Sequence, residues 1–187
     1  MKVHHKIFGA LMTGALAAAV SVVGGGVAHA ATVQPNTVSN ACSIQTARGF
    51  YVTAVGGGGR TTDVIHTDAT RVQSWEKFTL VYTGDGSHYG IRTVNGYYLT
   101  AVNSGGLTTA VTPDVLHTDA TNLLNWEKFT LVYQNDSGPN QPGSYGIRAF
   151  DGHYLSARDG GGRTTDTFES NRTTVDTWEK FWFNCNI

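Results

Sequence analysis

Lysine and arginine nowhere run in a block; they total 13 against 14 acidic residues, for a net charge of −1. A nucleic-acid binder carries a basic stripe or patch, so nucleic acid is not an expected partner. Charged residues are scarce at 14% and prolines few at 4, yet aromatics reach 11%, which excludes the composition of a disordered chain. Cysteine occurs only twice, with no CxxC spacing, so neither a multi-bridge scaffold nor a thiolate metal site is expected. No helical periodicity is sustained after the first thirty residues, and no serine-hydrolase elbow, P-loop or zinc-protease helix motif occurs. Glycine is abundant at 23, as many tight turns between short strands would require.

The chain opens with Lys2 and Lys6, an apolar run from Ile7 to Val23, and the small-residue ending Ala28-His29-Ala30. This is the layout of a secretory signal peptide over residues 1–30, cleaved between Ala30 and Ala31. Thr13, Ser21 and several glycines interrupt the apolar run, leaving it short of the ~20 residues of a good span, so membrane insertion is not expected. Residues 31–41 read as a polar leader. Cys42 and Cys185 stand at the two ends of what remains, and in an oxidising compartment a disulfide between them is the natural pairing. The expected location is extracellular.

Residues 42–187 are an internal repeat in three copies, about 42–88, 89–144 and 145–187. Trp75-Glu76-Lys77-Phe78 recurs as Trp126-Glu127-Lys128-Phe129 and as Trp178-Glu179-Lys180-Phe181. Tyr89-Gly90-Ile91-Arg92 matches Tyr145-Gly146-Ile147-Arg148, with Cys42-Ser43-Ile44-Gln45 in the same place in the first copy. Each is followed by a turn glycine, Gly49, Gly96 or Gly152, and then by Tyr-Val-Thr-Ala, Tyr-Leu-Thr-Ala or Tyr-Leu-Ser-Ala. A glycine cluster comes next. It leads into a third apolar segment near Ile65, Leu116 or Phe168 and a fourth beginning at the phenylalanine of the WEKF block, with period-two alternation. Four strands in three copies predict an all-β, twelve-stranded, pseudo-threefold β-trefoil; a three-bladed propeller is the alternative, but propellers have at least four blades.

The Gly-x-Tyr-Leu-x-Ala hairpin, glycine-rich turn and Trp-Glu-x-Phe-x-Leu block resemble the fascin-like division of the β-trefoils, over Cys42 to Ile187. The resemblance implies the trefoil fold. For function it implies a range, since such trefoils include actin bundlers, sugar-binding modules and parts of larger assemblies. The Gln-x-Trp signature of ricin-type lectins is matched only by Gln73-Ser74-Trp75.

Gly58-Gly59-Arg60-Thr61-Thr62-Asp63 and Gly161-Gly162-Arg163-Thr164-Thr165-Asp166 are nearly identical in copies one and three, while copy two has Leu107 in place of the arginine. Their donors and acceptors suit sugar hydroxyls or the polar rim of a partner. Arg60, Thr62, Asp63, Arg163, Thr165 and Asp166 are therefore the candidate ligand-binding residues. The three WEKF tryptophans are expected in the core, with sugar stacking the lesser reading. Glu76, Glu127 and Glu179 would accept turn amides or pair with Arg92 and Arg148; three alike do not make the two unlike carboxylates of a hydrolase. His66-Thr67-Asp68 and His117-Thr118-Asp119 form an incomplete metal set and read as loop formers. No cofactor, metal or catalytic residue is expected. The sequence points to a secreted non-catalytic module for carbohydrate or cell-envelope glycan. The alternative is an extracellular protein-interaction subunit using the copy-two insertions, Ala110 to Pro113 and Asn135 to Ser144.

Overall fold

The computed structural model describes residues 41–138 and 142–185. The expected export segment and all of the leader before residue 41 lie outside the described residues, as does part of the second copy-two insertion.

Twelve strands form, four per copy. They are β1 (Cys42–Gln45), β2 (Tyr51–Ala54), β3 (Ile65–Ala69) and β4 (Thr79–Tyr82); β5 (Tyr89–Arg92), β6 (Tyr98–Ala101), β7 (Leu116–Ala120) and β8 (Thr130–Tyr133); β9 (Tyr145–Arg148), β10 (Tyr154–Ala157), β11 (Phe168–Arg172) and β12 (Lys180–Cys185). The first and fourth strands of each copy close into a ring. Across copies β4 pairs with β5, β8 with β9 and β12 with β1. Within copies the ring is completed by Cys42 opposite Phe78, Tyr89 opposite Phe129, and Tyr145 opposite Phe181. Full closure leaves the ring without a free edge to template pairing with another chain. The second and third strands form three outlying hairpins, β2–β3, β6–β7 and β10–β11, each with a register shift at its middle.

Alternation within the strands fills the barrel in threefold sets. Ile44, Ile91 and Ile147, then Val52, Leu99 and Leu155, then Ile65, Leu116 and Phe168, then Phe78, Phe129 and Phe181 are all buried. An apolar side chain at each equivalent position, identical in two of the four sets, lets the three copies meet in one close-packed core.

The copies are joined through their glycine clusters. The amide of Arg48 donates to the Gly160 carbonyl, that of Asn95 to Gly57, and that of Asp151 to Ser104. A Cβ on Gly58 would stand 2.5 Å from Thr93 Oγ1, and one on Gly161 would stand 2.3 Å from Thr46 Oγ1. Both glycines have φ near +100°. Only glycine allows that conformation and that approach together.

Cys42 and Cys185 lie opposite each other in the β1–β12 register and form the expected disulfide. Among the described residues no helix is long and apolar enough to cross a membrane.

Candidate functional site

The two Gly-Gly-Arg-Thr-Thr-Asp turns are seams between copies before they are anything else. Gly59 donates to the Thr118 carbonyl and Thr118 donates back to the carbonyl of Arg60; Gly162 and Arg163 do the same with Thr67, and Gly106 and Leu107 with Ser170. Leu107 can replace arginine because this pairing uses only backbone. The arginine forks bend onto their own segments. Arg60 Nε donates to the Thr62 carbonyl and its Nη2 lies 3.2 Å from Asp63 Oδ2, while Arg163 Nε donates to the Thr165 carbonyl and Nη1 lies 2.6 Å from Asp159.

Asp63 and Asp166 both adopt left-handed φ values, 49° and 47°. The Asp63 carboxylate is shared with His66 Nε2 at 2.7 Å, and this hydrogen bond holds its pKa below the ordinary value. Asp166 instead faces Arg158 at 3.6 Å. Thus Arg60 and Asp63 meet, whereas Arg163 and Asp166 take different partners.

The His-Thr-Asp segments lie within strands β3 and β7, not on loops. Thr67 and Thr118 are fully buried, and their hydroxyls bond the backbone of Arg163 and Arg60.

The WEKF blocks divide differently from expectation. Their phenylalanines are buried, but Trp75, Trp126 and Trp178 are exposed by 48%, 45% and 42%. Trp126 and Trp178 each sit in a single 3-10 turn that precedes the fourth strand of the copy. Turning at this point sends the indole outward and the next side chain, the glutamate, inward. Glu76, Glu127 and Glu179 are correspondingly 6%, 5% and 4% exposed. Each closes its turn by accepting the amide of Gln73, Leu124 or Asp176, as the sequence suggested. In copies one and two the second carboxylate oxygen accepts the Thr53 or Thr100 hydroxyl. Copy three has Ser156 there, without a hydrogen-bond partner, and Glu179 instead lies 3.7 Å from Arg172 Nε. Neither Arg92 nor Arg148 joins these carboxylates.

Each tryptophan therefore forms an outward platform on a turn pinned by a buried carboxylate. Leu124 and Asn125 flank Trp126, and Arg172, Asp176 and Thr177 flank Trp178. Trp178 also approaches the copy-three glycine cluster, 3.5 Å from where a Gly160 Cβ would be, a place that Arg48 approaches to 3.0 Å.

Solved structures share this architecture at low sequence identity. A designed threefold-symmetric protein, ThreeFoil, superposes with a TM-score of 0.62 at 11% identity over 76% of this chain and 96% of its own. The Rhizoctonia solani agglutinin gives 0.59 at 15% over 82% of this chain and 100% of the agglutinin. A β-trefoil named BEL gives 0.58 at 12%, over 81% of this chain and 97% of its own. The fold is a β-trefoil. No family model matches the chain, and no curated protein matches it, so the fascin-like resemblance stays one of motif. A mosquitocidal holotoxin also contains a similar region, with a TM-score of 0.61 at 14% identity over 81% of this chain and 17% of the toxin chain.

The middle lobe of the trefoil carries its own features. Its first insertion carries an exposed Val111. Its second is anchored by Asp136, which accepts the amide and hydroxyl of Ser144 and pairs with Lys180 at 2.9 Å.

Proposed function

We propose that this trefoil is a secreted, non-catalytic glycan-binding module whose principal contacts are Trp75, Trp126 and Trp178. One observation carries the reading: the three largest aromatic side chains of the repeat are held partly exposed at equivalent positions. Large aromatic rings exposed at a repeated position mark an interaction surface. The apolar face of a pyranose stacks on an indole, while neighbouring polar groups such as Asn125 and Asp176 meet its hydroxyls. Three shallow platforms on one rigid body engage a polymeric glycan together, gaining avidity without a deep pocket. The agglutinin among the structures of similar shape supports the reading.

The arginine turns are a second, outer contact in lobes one and three, where Arg60 and Arg163 exchange bonds to their own segments for bonds to ligand. Glycan-array and polysaccharide-retention assays test both contacts. Replacing all three tryptophans by Ala should sharply reduce retention while the fold is kept, and Arg60→Ala with Arg163→Ala should weaken it. Undiminished retention by the triple tryptophan variant would sink the platform reading. A blank array together with a co-purifying secreted protein lost on Val111→Asp would favour the protein-interaction alternative.

A further inference from the structure

The threefold symmetry breaks where strand β12 meets β1, and one replacement there has its own chemistry. Three cross-strand rows are equivalent by register. Thr79 faces Arg92, which faces Tyr98; Thr130 faces Arg148, which faces Tyr154; and Trp182 faces Gln45, which faces Tyr51. Two rows read Thr-Arg-Tyr and the third reads Trp-Gln-Tyr. The change adds an indole, removes a permanent charge and puts a carboxamide between two aromatic rings.

That third row lies in a groove where lobe three meets lobe one. Ser43, Gln45, Tyr51, Trp182 and Asn184 line it, and among the described residues none that lines it carries a side-chain carboxylate, ammonium or guanidinium. Trp182, Gln45 and Tyr51 are each half-buried, so their faces are partly free. Gln45 Nε2 donates to the Gly49 carbonyl, which fixes the amide and directs its oxygen away from that bond. Adjacent strands are about 4.8 Å apart, so the row spans roughly the width of one or two sugar rings.

We infer that the Trp182–Gln45–Tyr51 row, with Asn184, is a separate binding site for an uncharged pyranose of a glycan chain. Indole and phenol faces take the apolar face of the ring, and carboxamides offer both a donor and an acceptor to vicinal hydroxyls. An acidic sugar gains nothing here, because a desolvated carboxylate finds no cation in the groove. The Arg92 and Arg148 rows keep a charge at the central place and lack the indole. The site is therefore single, and it is independent of the three platforms.

The chain has 4 tryptophans, so replacing Trp75, Trp126 and Trp178 by Ala leaves Trp182 as the sole tryptophan, whose emission is read with excitation beyond the tyrosine absorption band. Titrating that variant with neutral oligomers of glucose, galactose and N-acetylglucosamine should shift or quench its fluorescence for at least one of them at a stoichiometry near one. Polygalacturonate should leave the emission unchanged. A second experiment uses 5-fluorotryptophan in the otherwise unaltered protein, with the Trp182 resonance assigned from Trp182→Phe. Neutral oligomer should move that resonance, and Gln45→Arg, which restores the sister row, should weaken the shift at least tenfold while the melting temperature holds. A Trp182 signal indifferent to every neutral oligomer, or undiminished in Gln45→Arg, overturns the site. Movement of the other three resonances alone would uphold the platforms and reject this groove.

Discussion

At the scale of single residues, the glutamate of each WEKF block decides where its tryptophan goes. A buried carboxylate is costly unless both of its oxygens are hydrogen-bonded. Glu127 meets the condition with the Thr100 hydroxyl at 2.8 Å and the Leu124 amide at 2.9 Å. Glu127→Ala strands both donors, and at ~1–3 kcal/mol for each buried unsatisfied group it should cost about 3 kcal/mol by denaturant unfolding. Trp126→Ala should cost much less, under ~1 kcal/mol, because the indole is nearly half exposed. The reverse order would mean that the tryptophan is the structural residue. Lobe three offers an internal control, since its Ser156 hydroxyl is buried without a partner. Ser156→Ala should be neutral or slightly stabilising, whereas Thr100→Val in lobe two should cost ~1–2 kcal/mol. The sequence showed the repeat of Trp-Glu-x-Phe but not its sidedness. Alternation by two holds from Phe129 onward, but the 3-10 turn Asn125–Glu127 just before it resets the phase, and apolar character alone then points the indole inward.

At the scale of elements, the twelve strands were legible because each is bracketed by a recognisable turn and because three copies corroborate one another. The seams between lobes were not legible. They consist of backbone bonds such as Gly59 to Thr118 and Gly162 to Thr67, backed by the buried hydroxyls of Thr67, Thr118 and Ser170, which short polar residues in a strand do not announce, so a repeated Gly-Gly-Arg turn reads as a ligand loop. Glycines make the distinction testable. Gly58 and Gly96 both have positive φ, 100° and 89°, but only Gly58 has a neighbour, Thr93 Oγ1, within 2.5 Å of an added Cβ; around Gly96 the space is open. Gly96→Ala should cost about 1 kcal/mol from backbone conformation alone, and Gly58→Ala some ~2–3 kcal/mol more from overpacking at the seam. Thermal melts of the two variants side by side would show it. Equal losses would mean that the lobes part easily at this contact.

At the scale of the whole molecule, the barrel is a ring cut once, and the two joints where the chain is continuous share one layout. Where the chain is continuous, facing tyrosines close the joint: Tyr82 with Tyr89 at 5.5 Å and Tyr133 with Tyr145 at 5.3 Å between ring centroids. A carboxylate on the connecting hairpin also reaches the lysine of the next WEKF block, Asp85 to Lys128 and Asp136 to Lys180. At the cut, the tyrosine pair is replaced in register by Cys42 and Cys185, and Lys77 has no acidic partner among the described residues. The disulfide substitutes for both devices. It closes a loop with a sequence separation of 143, for which the loop-entropy model gives roughly 5 kcal/mol. Replacing Cys42 and Cys185 together by Ala should therefore lower stability by up to that amount without changing the fold.

The two carboxylate joints supply a pH dependence that the disulfide does not. Asp136, hydrogen-bonded by the Ser144 amide and paired with Lys180, is lowered from 3.8 to about 2, and Asp85, bonded by Thr83, His88 and Lys128, is held well below the usual carboxylate range. A carboxyl whose folded pKa lies below its unfolded value contributes stability that is fully present above the unfolded value and is lost as pH falls through the folded one. The contribution should thus be constant above pH ~5 and fade from pH ~4 downward, with Asp136 spent near pH 2 and Asp85 lower still. In the oxidised protein the covalent joint survives this loss. In the cysteine-free variant all three joints weaken at once, so its acid unfolding midpoint should lie well above that of the parent, and Asp136→Asn should flatten the slope of stability against pH between about 4 and 2. Circular dichroism melts across pH 2 to 7 on the three proteins would decide it. Parallel pH profiles for parent and Asp136→Asn would show that the Asp136 clasp contributes nothing to holding lobes two and three together.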